Sequence, residues 1–429
     1  MNPYGHLMLA FEGHHVPPWL DDVLAGNAIA GVTLFRELNL DSPGQTAELV
    51  ESLQAKNTAD VSLLVAIDQE GGQLLGLTGS TPFAGNMALG AGGDTALALE
   101  VAAAMGHELT AVGINVNYAP VADVASRPDN PSLGIRSFGA EPEAVARFTR
   151  AMVEGFRHAG IVATPKHFVA NVGAGGRDSY PIHYNERLLE EIYFPAFKAA
   201  IHQGGARSIM TAYNSIDGDP ATASPWLLRE TLKQIWGFDG FVISDAGATG
   251  GANVLHFTAA DYPEATRNAL EAGLDVIFQT SYDHYPLFWE AFQKGMISEA
   301  AIDEAVARVL RVKVELGLFE DPYVDPEAAA RWNGHADHRA LALELDGLDR
   351  DAGEGRERHR PAGRELLDVS LALAPVLLGR QVVEPERRLL APDVAGGLVV
   401  PRNANGRVEI LAGLEPPGHR GRATSSARS

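Results

Sequence analysis

At 429 residues, with 46% hydrophobic and 21% charged residues, the chain has the balance of a globular enzyme and enough apolar material for one large domain or two ordinary ones. A net charge of −21 argues against a nucleic-acid partner, which requires a basic face, and the lack of cysteine removes disulfides, thiolate nucleophiles and cysteine–zinc sites. No stretch has the roughly 18 consecutive apolar residues of a membrane span, and the opening MNPYGHLMLAF lacks the regions of a secretory signal, so a soluble, cytoplasmic protein is expected.

Eight short apolar or β-branched runs follow one another: LMLAF (7–11), AIAGVTLF (28–35), LLVAID (63–68), INVNYA (114–119), IVATPKHF (161–168), RSIMTAY (207–213), FVISD (241–245) and LDVIF (274–278). Helices with readable ends lie between most of them. Asp94 caps a segment that stops at Gly113, and Pro142 sits in the first turn of one that stops at Gly160. Ser224-Pro225 opens a helix ending at Gly237, and Ser298-Glu299 one ending near Gly317. Alternating units with near-continuous apolar strands predict an α/β fold whose parallel sheet is covered by helices. Eight units close most naturally into a (β/α)8 TIM-like barrel, with an open doubly wound sheet as the competing arrangement. In a barrel all the C-terminal strand ends share one face. Here they carry Glu12, Arg36, Asp68, Asp123, Lys166-His167, Tyr213-Asn214, Asp245 and Gln279.

The composition then shifts. There is no Phe, Tyr or Trp after Trp332 and no lysine after Lys313. Residues 346–429 hold 13 arginines against 12 acidic residues, a balance of +1 that leaves −22 for residues 1–345. The expected organisation is a barrel over 1–345 and an atypical Arg-rich tail over 346–429. Without aromatic anchors that tail is expected to be disordered or loosely helical. A second reading is out-of-frame translation of a GC-rich gene, which the nucleotide sequence decides.

Three motifs carry chemistry. In GFVISDAGATGG (240–251), Asp245 is either an N-cap or a working carboxylate; the small residues after it leave space above a strand end, a rigid mount for a group that must point at a ligand. Lys166-His167 reach one pocket only at the frayed end of a strand. Their readings are a structural histidine, a Schiff-base lysine, or a pair of donors to hydroxyls or a neighbouring carboxylate. In IDQEGG (67–72), Asp68 suits vicinal hydroxyls, and the acidic residues and glycine spacing reject a phosphate loop. GAGGR (173–177) reads as a loop over the site rather than a dinucleotide fingerprint. His14 and His15 are adjacent and no HExxH spacing occurs, so neither metal nor cofactor is expected.

In this order the motifs resemble glycoside hydrolase family 3. AIDQEGG, FAGNMALGA, NYAPVADV and NPSLGIRSFGAEPE look like stretches of its bacterial β-N-acetylglucosaminidase branch, whereas KHF, MTAYN and GFDGFVISDAGA look like its β-glucosidase branch. The similarity runs from about residue 6 to about 345. It implies an exo-acting retaining β-glycosidase for small β-glycosides, with Asp245 as nucleophile and Asp68, Arg136, Lys166, His167 and Tyr213 lining the sugar pocket. Met210 and Arg177 are further carry-overs. The acid is the departure. Where the acetylglucosaminidase branch has Asp-Ser-His, this chain has RDSYPIHYNE, with Tyr180 in the histidine's place and His183 three positions later. The glucosidase branch takes its acid from a following α/β domain, here missing or replaced by the tail. Two other readings remain open: a sugar-binding barrel lacking a general acid, and a lyase using Lys166.

Overall fold

The computed structural model describes residues 3–130, 132–173, 179–279, 285–320, 322–324 and 326–353. Seven of the eight apolar runs contain one strand each and the eighth strand runs one residue past its run: β1 (Leu7–Leu9), β2 (Gly31–Thr33), β3 (Leu64–Ile67), β4 (Val116–Asn117), β5 (Val162–Ala163), β6 (Ser208–Met210), β7 (Phe241–Ile243) and β8 (Ile277–Gln279). All pair in parallel, in chain order, from β1 through β5, and β8 returns to β1 with Leu7 opposite Ile277. The other half of the ring joins β6 to β7 in register, Phe241 opposite Ser208. Parallel bridges Phe168–Thr211 and Ile243–Val276 link β5 to β6 and β7 to β8. The ring is therefore closed as a (β/α)8 barrel, and the doubly wound alternative is set aside.

Side-chain alternation along the strands separates two cores. Met8, Leu64, Ala66, Val116, Val162, Met210, Phe241, Ile243 and Phe278 fill one cluster inside the ring. Leu7, Leu9, Val32, Val65, Ile67, Val242 and Ile277 belong to the other, where the barrel meets its helices. Strands buried on both faces have no polar side to show, which is why their sequences read as continuous runs. Each such side chain contributes about 1.5–3 kcal/mol on burial. Gly31 keeps β2 against β3, because a Cβ there would fall 2.0 Å from the Leu64 carbonyl oxygen.

The helix ends follow the local signals. Asp94 accepts hydrogen bonds from the amides of Ala96 (2.9 Å) and Leu97 (3.2 Å) to start Thr95–Ala111. Ser298 accepts from Ala301 (3.3 Å) to start Glu299–Glu315. Pro142–His158 has Pro in its first turn, and Trp226–Ile235 begins just after Ser224-Pro225. Among the described residues no helix is long and apolar enough to cross a membrane.

The boundary expected after residue 345 falls inside the helix Ala336–Gly353, and the rest of the Arg-rich tail, 354–429, lies outside the described residues. The start of that helix is fastened to the barrel's outer layer. Buried Glu108 accepts from the Thr81 amide (2.8 Å) and hydroxyl (2.6 Å), the Gly334 amide (3.2 Å) and His338 Nδ1 (2.8 Å). Trp332 stacks on His338 at 6.2 Å beside this carboxylate.

Candidate active site

Asp245 stands two residues beyond β7, and the sequence alone left it between helix cap and working group. The helix that follows, Ala248–Val254, takes Gly247 as its cap, with φ +70° and no side-chain hydrogen bond. Asp245 instead turns one carboxylate oxygen to the Ala246 amide (2.6 Å) and the other toward His167 Nε2 (3.7 Å). The cap reading is thereby corrected. Burial raises the Asp245 carboxyl above its ordinary value of 3.8, and His167 and then Lys166 oppose that rise without cancelling it. The basic neighbours limit the cost of its charge; they do not make it an unusually strong acid.

Lys166 and His167 both reach this end of the barrel. β5 ends at Ala163, so the alternation that would send neighbours to opposite faces has lapsed by residue 166; the Lys166–His167 peptide is cis. Lys166 Nζ sits 2.5 Å from Asp68 Oδ1 and 2.6 Å from Glu70 Oε1. Burial would lower its pKa, but Asp68 and Glu70 outweigh burial and hold it above the ordinary lysine value. A Schiff-base lysine needs a neutral amine, so this arrangement opposes the lyase reading.

Glu70 also grips Arg136 in a two-pronged pair, Nε to Oε2 at 2.8 Å and Nη2 to Oε1 at 2.7 Å, while Arg136 Nη1 donates to the Ser132 carbonyl at 3.0 Å. Burial alone would raise the Glu70 carboxyl; Lys166 and Arg136 together bring it down to about 2. Glu70 was not singled out from sequence. The signal available was its place two residues after Asp68 in IDQEGG, a spacing that lets both carboxylates serve one cation.

His167 is set by Asp123, whose Oδ2 lies 2.7 Å from Nδ1 and whose two oxygens both accept from the His167 amide at 3.3 Å. Asp123 as acceptor assigns the proton to Nδ1 and leaves Nε2 facing Asp245. In the sequence Asp123 stands at a strand end, but its partner is 44 residues away. Tyr213 donates its hydroxyl to the Ala246 carbonyl at 2.8 Å, bracing the turn that carries Asp245. Beneath lies Tyr118, hydrogen-bonded to Thr33 at 2.8 Å; burial first, then the charges of Asp68 and Asp245, push its phenol well up. Met210 ends β6 within the interior cluster. Arg177 and most of GAGGR lie outside the described residues. His183 is exposed and pairs with Asp217 at 3.2 Å.

The structure thus brings Asp68, Arg136, Lys166, His167, Tyr213 and Asp245 to one end of the barrel, joined by Glu70 and Asp123. Four carboxylates face one lysine, one arginine and one histidine. An excess of negative charge held in fixed, largely buried positions suits a reaction in which positive charge develops on a neutral substrate. Among the described residues no cluster of His, Asp and Glu could hold a metal ion.

The family model described as the glycosyl hydrolase family 3 N terminal domain matches residues 17–312. The chain is 30% identical over 266 residues to a beta-xylosidase of Formosa agariphila, covering 57% of this chain and 36% of that one. It is 31% identical to a periplasmic beta-glucosidase of Salmonella typhimurium, covering 72% and 40% respectively. The chain therefore spans less than half the length of these two curated relatives. Among solved structures, a family 3 β-N-acetylglucosaminidase of Paenibacillus sp. superimposes with a TM-score of 0.71 at 30% identity, covering 81% of this chain and 68% of that one. With the closed ring, the strand-end carboxylates and a family match across most of the barrel, the chain belongs to glycosyl hydrolase family 3.

Proposed function

We propose that this chain is an exo-acting retaining β-glycosidase with Asp245 as its nucleophile. The observation that carries the reading is the Asp245 carboxylate, free of any capping role, beside the His167 ring and the Lys166 ammonium at the end of the barrel. In the first step a carboxylate oxygen of Asp245 bonds to the anomeric carbon. The glycosidic C–O bond breaks, and the departing oxygen keeps the electron pair. In the second step water attacks the anomeric carbon from the opposite face, the bond to Asp245 breaks with its electron pair returning to the carboxylate, and the proton given up by the water passes to the released alkoxide or to solvent, leaving the sugar with its configuration retained. On this reading Lys166, Arg136 and Asp68 bond ring hydroxyls, and the acidic surplus supports the oxocarbenium-like transition state. The named relatives act on xylose, glucose and N-acetylglucosamine units, which share equatorial substituents at C2, C3 and C4; we assign a sugar of that configuration. An aryl 2-deoxy-2-fluoro-β-glycoside with a good leaving group tests the reading: it should inactivate the protein and mark the peptide containing Asp245. Labelling elsewhere, or none with either the gluco- or the xylo-configured reagent, overturns it.

Tyr180 stands where the acetylglucosaminidase branch carries histidine, and its acid is the proton source for a poor leaving group. We expect kcat/KM to fall steeply along a series from dinitrophenyl to phenyl to methyl β-glycosides, because an unassisted alkoxide leaves slowly. A flat dependence would show that a proton donor is in place. The acid side of the pH profile follows from Asp245. Attack requires the ionised carboxylate, and burial raises its pKa. Activity is therefore lost, as pH falls, on a limb lying above the ordinary aspartate value of 3.8. A kcat/KM profile that stays level through that value contradicts the assignment.

A further inference from the structure

A groove of about 600 Å³ is lined by Tyr184, Glu186, Arg187, Asp217, Asp219 and Trp226 among others. One wall is the hairpin Ser215–Ile216 and Asp219–Pro220, which directly follows Tyr213-Asn214. Asn214 donates to the Val169 carbonyl at 3.3 Å, two residues past His167. The other wall, which follows β5, is laced to that hairpin: the Ile182 amide donates to the Ser215 carbonyl and the Asp217 amide to the Ile182 carbonyl, both at 2.9 Å.

The aromatic rings in the groove are half-buried and held from behind. Tyr184 stacks on Tyr193 at 5.5 Å, and Trp226 leans on Phe194 at 6.4 Å. Rigid rings with one side exposed offer apolar faces at little entropic cost. Around them stand Glu186, Asp217 and Asp219, all acceptors, against one arginine whose guanidinium is engaged with Glu191 at 2.7 Å. That charge repels phosphates and uronates. Flat apolar faces with carboxylate acceptors suit a neutral pyranose, whose C–H face packs on a ring while its hydroxyls donate outward. The volume lies within the roughly 300–1,000 Å³ of small-molecule sites.

We propose that this groove is a second carbohydrate site, binding sugar units of an oligosaccharide beyond the one at Asp245. The proposal rests on the glycosidase reading, and its test separates the two. Binding of cellohexaose and chitohexaose, with glucose and N-acetylglucosamine as controls, is measured by calorimetry on the full chain carrying Asp245→Ala. Adding Trp226→Ala should weaken hexasaccharide binding ~tenfold and leave the monosaccharides unchanged. Asp219→Arg, on an exposed hairpin position, should do the same and serves if the Trp226 variant fails to fold. With Asp245 intact, both variants should keep kcat/KM for an aryl monoglycoside and raise KM for the hexasaccharide by a similar factor. Hexasaccharides that bind no tighter than monosaccharides, or bind unaltered in both variants, overturn the groove. Trp226-dependent binding in a chain that turns over no aryl glycoside supports the groove and sinks only the hydrolase reading.

Discussion

Asp245→Ala is expected to lower turnover of an activated aryl β-glycoside by roughly 10⁴-fold or more, the scale on which enzymes lose a covalent nucleophile. The variant should fold normally. The carboxylate caps no helix, and its hydrogen bond within the site is to the adjacent Ala246 amide. Its shortened side chain leaves room beside the anomeric carbon, so a small anion can enter. Azide should restore part of the rate and yield the α-glycosyl azide, because it attacks from the side the carboxylate occupied. This product separates loss of the nucleophile from loss of the pocket. Wild-type turnover by the alanine variant, or an azide adduct of β configuration, would move the nucleophile to another residue.

The second large effect is on stability. Glu70 is buried between Lys166 and Arg136, and removing one member of such a cluster leaves uncompensated charge in a poorly solvated place. Glu70→Ala should therefore destabilise the protein by about 3–5 kcal/mol and lower the melting temperature by roughly 10 °C. Glu70→Gln keeps the shape and isolates the charge. The folded carboxyl is held at about 2 against an ordinary 4.5, so its contribution is complete above pH 4.5 and is lost as pH falls through about 2. The glutamine variant should lose this acid-side component of the stability curve. On the proposed role of Arg136 and Lys166 in the sugar pocket, KM should rise in both variants. Unfolding curves matching the parent at neutral pH would show that the cluster carries no net stability.

Much of this architecture is legible in the chain itself, for identifiable reasons. The eight runs mark the eight strands because both faces of the ring are dry, and Asp94, Ser298 and the glycines at 113, 160 and 317 mark helix ends through local geometry that needs no distant partner. What the sequence hides is pairing across the ring. Asp123 and His167 come together only when β4 and β5 lie side by side, and Glu70 meets Arg136 across 66 residues. The strands themselves are two to four residues long, shorter than the apolar runs, because the hydrophobic pattern marks burial and not the reach of the pairing. At residues 166 and 167, period-two alternation gave the right condition, a frayed strand, while the ion pairs that fix the lysine remained invisible.

The fastening at Glu108 has a consequence for where this fold is mechanically complete. Two of its four donors, from Gly334 and His338, come from beyond residue 312, the last position shared with the family model. A chain cut at that homologous edge would strand an anion inside an apolar layer with only Thr81 to answer it. The stretch shared with the family and the stretch that satisfies Glu108 thus have different hems, and the stitch that closes the second is sewn with a threonine, a glycine and a histidine.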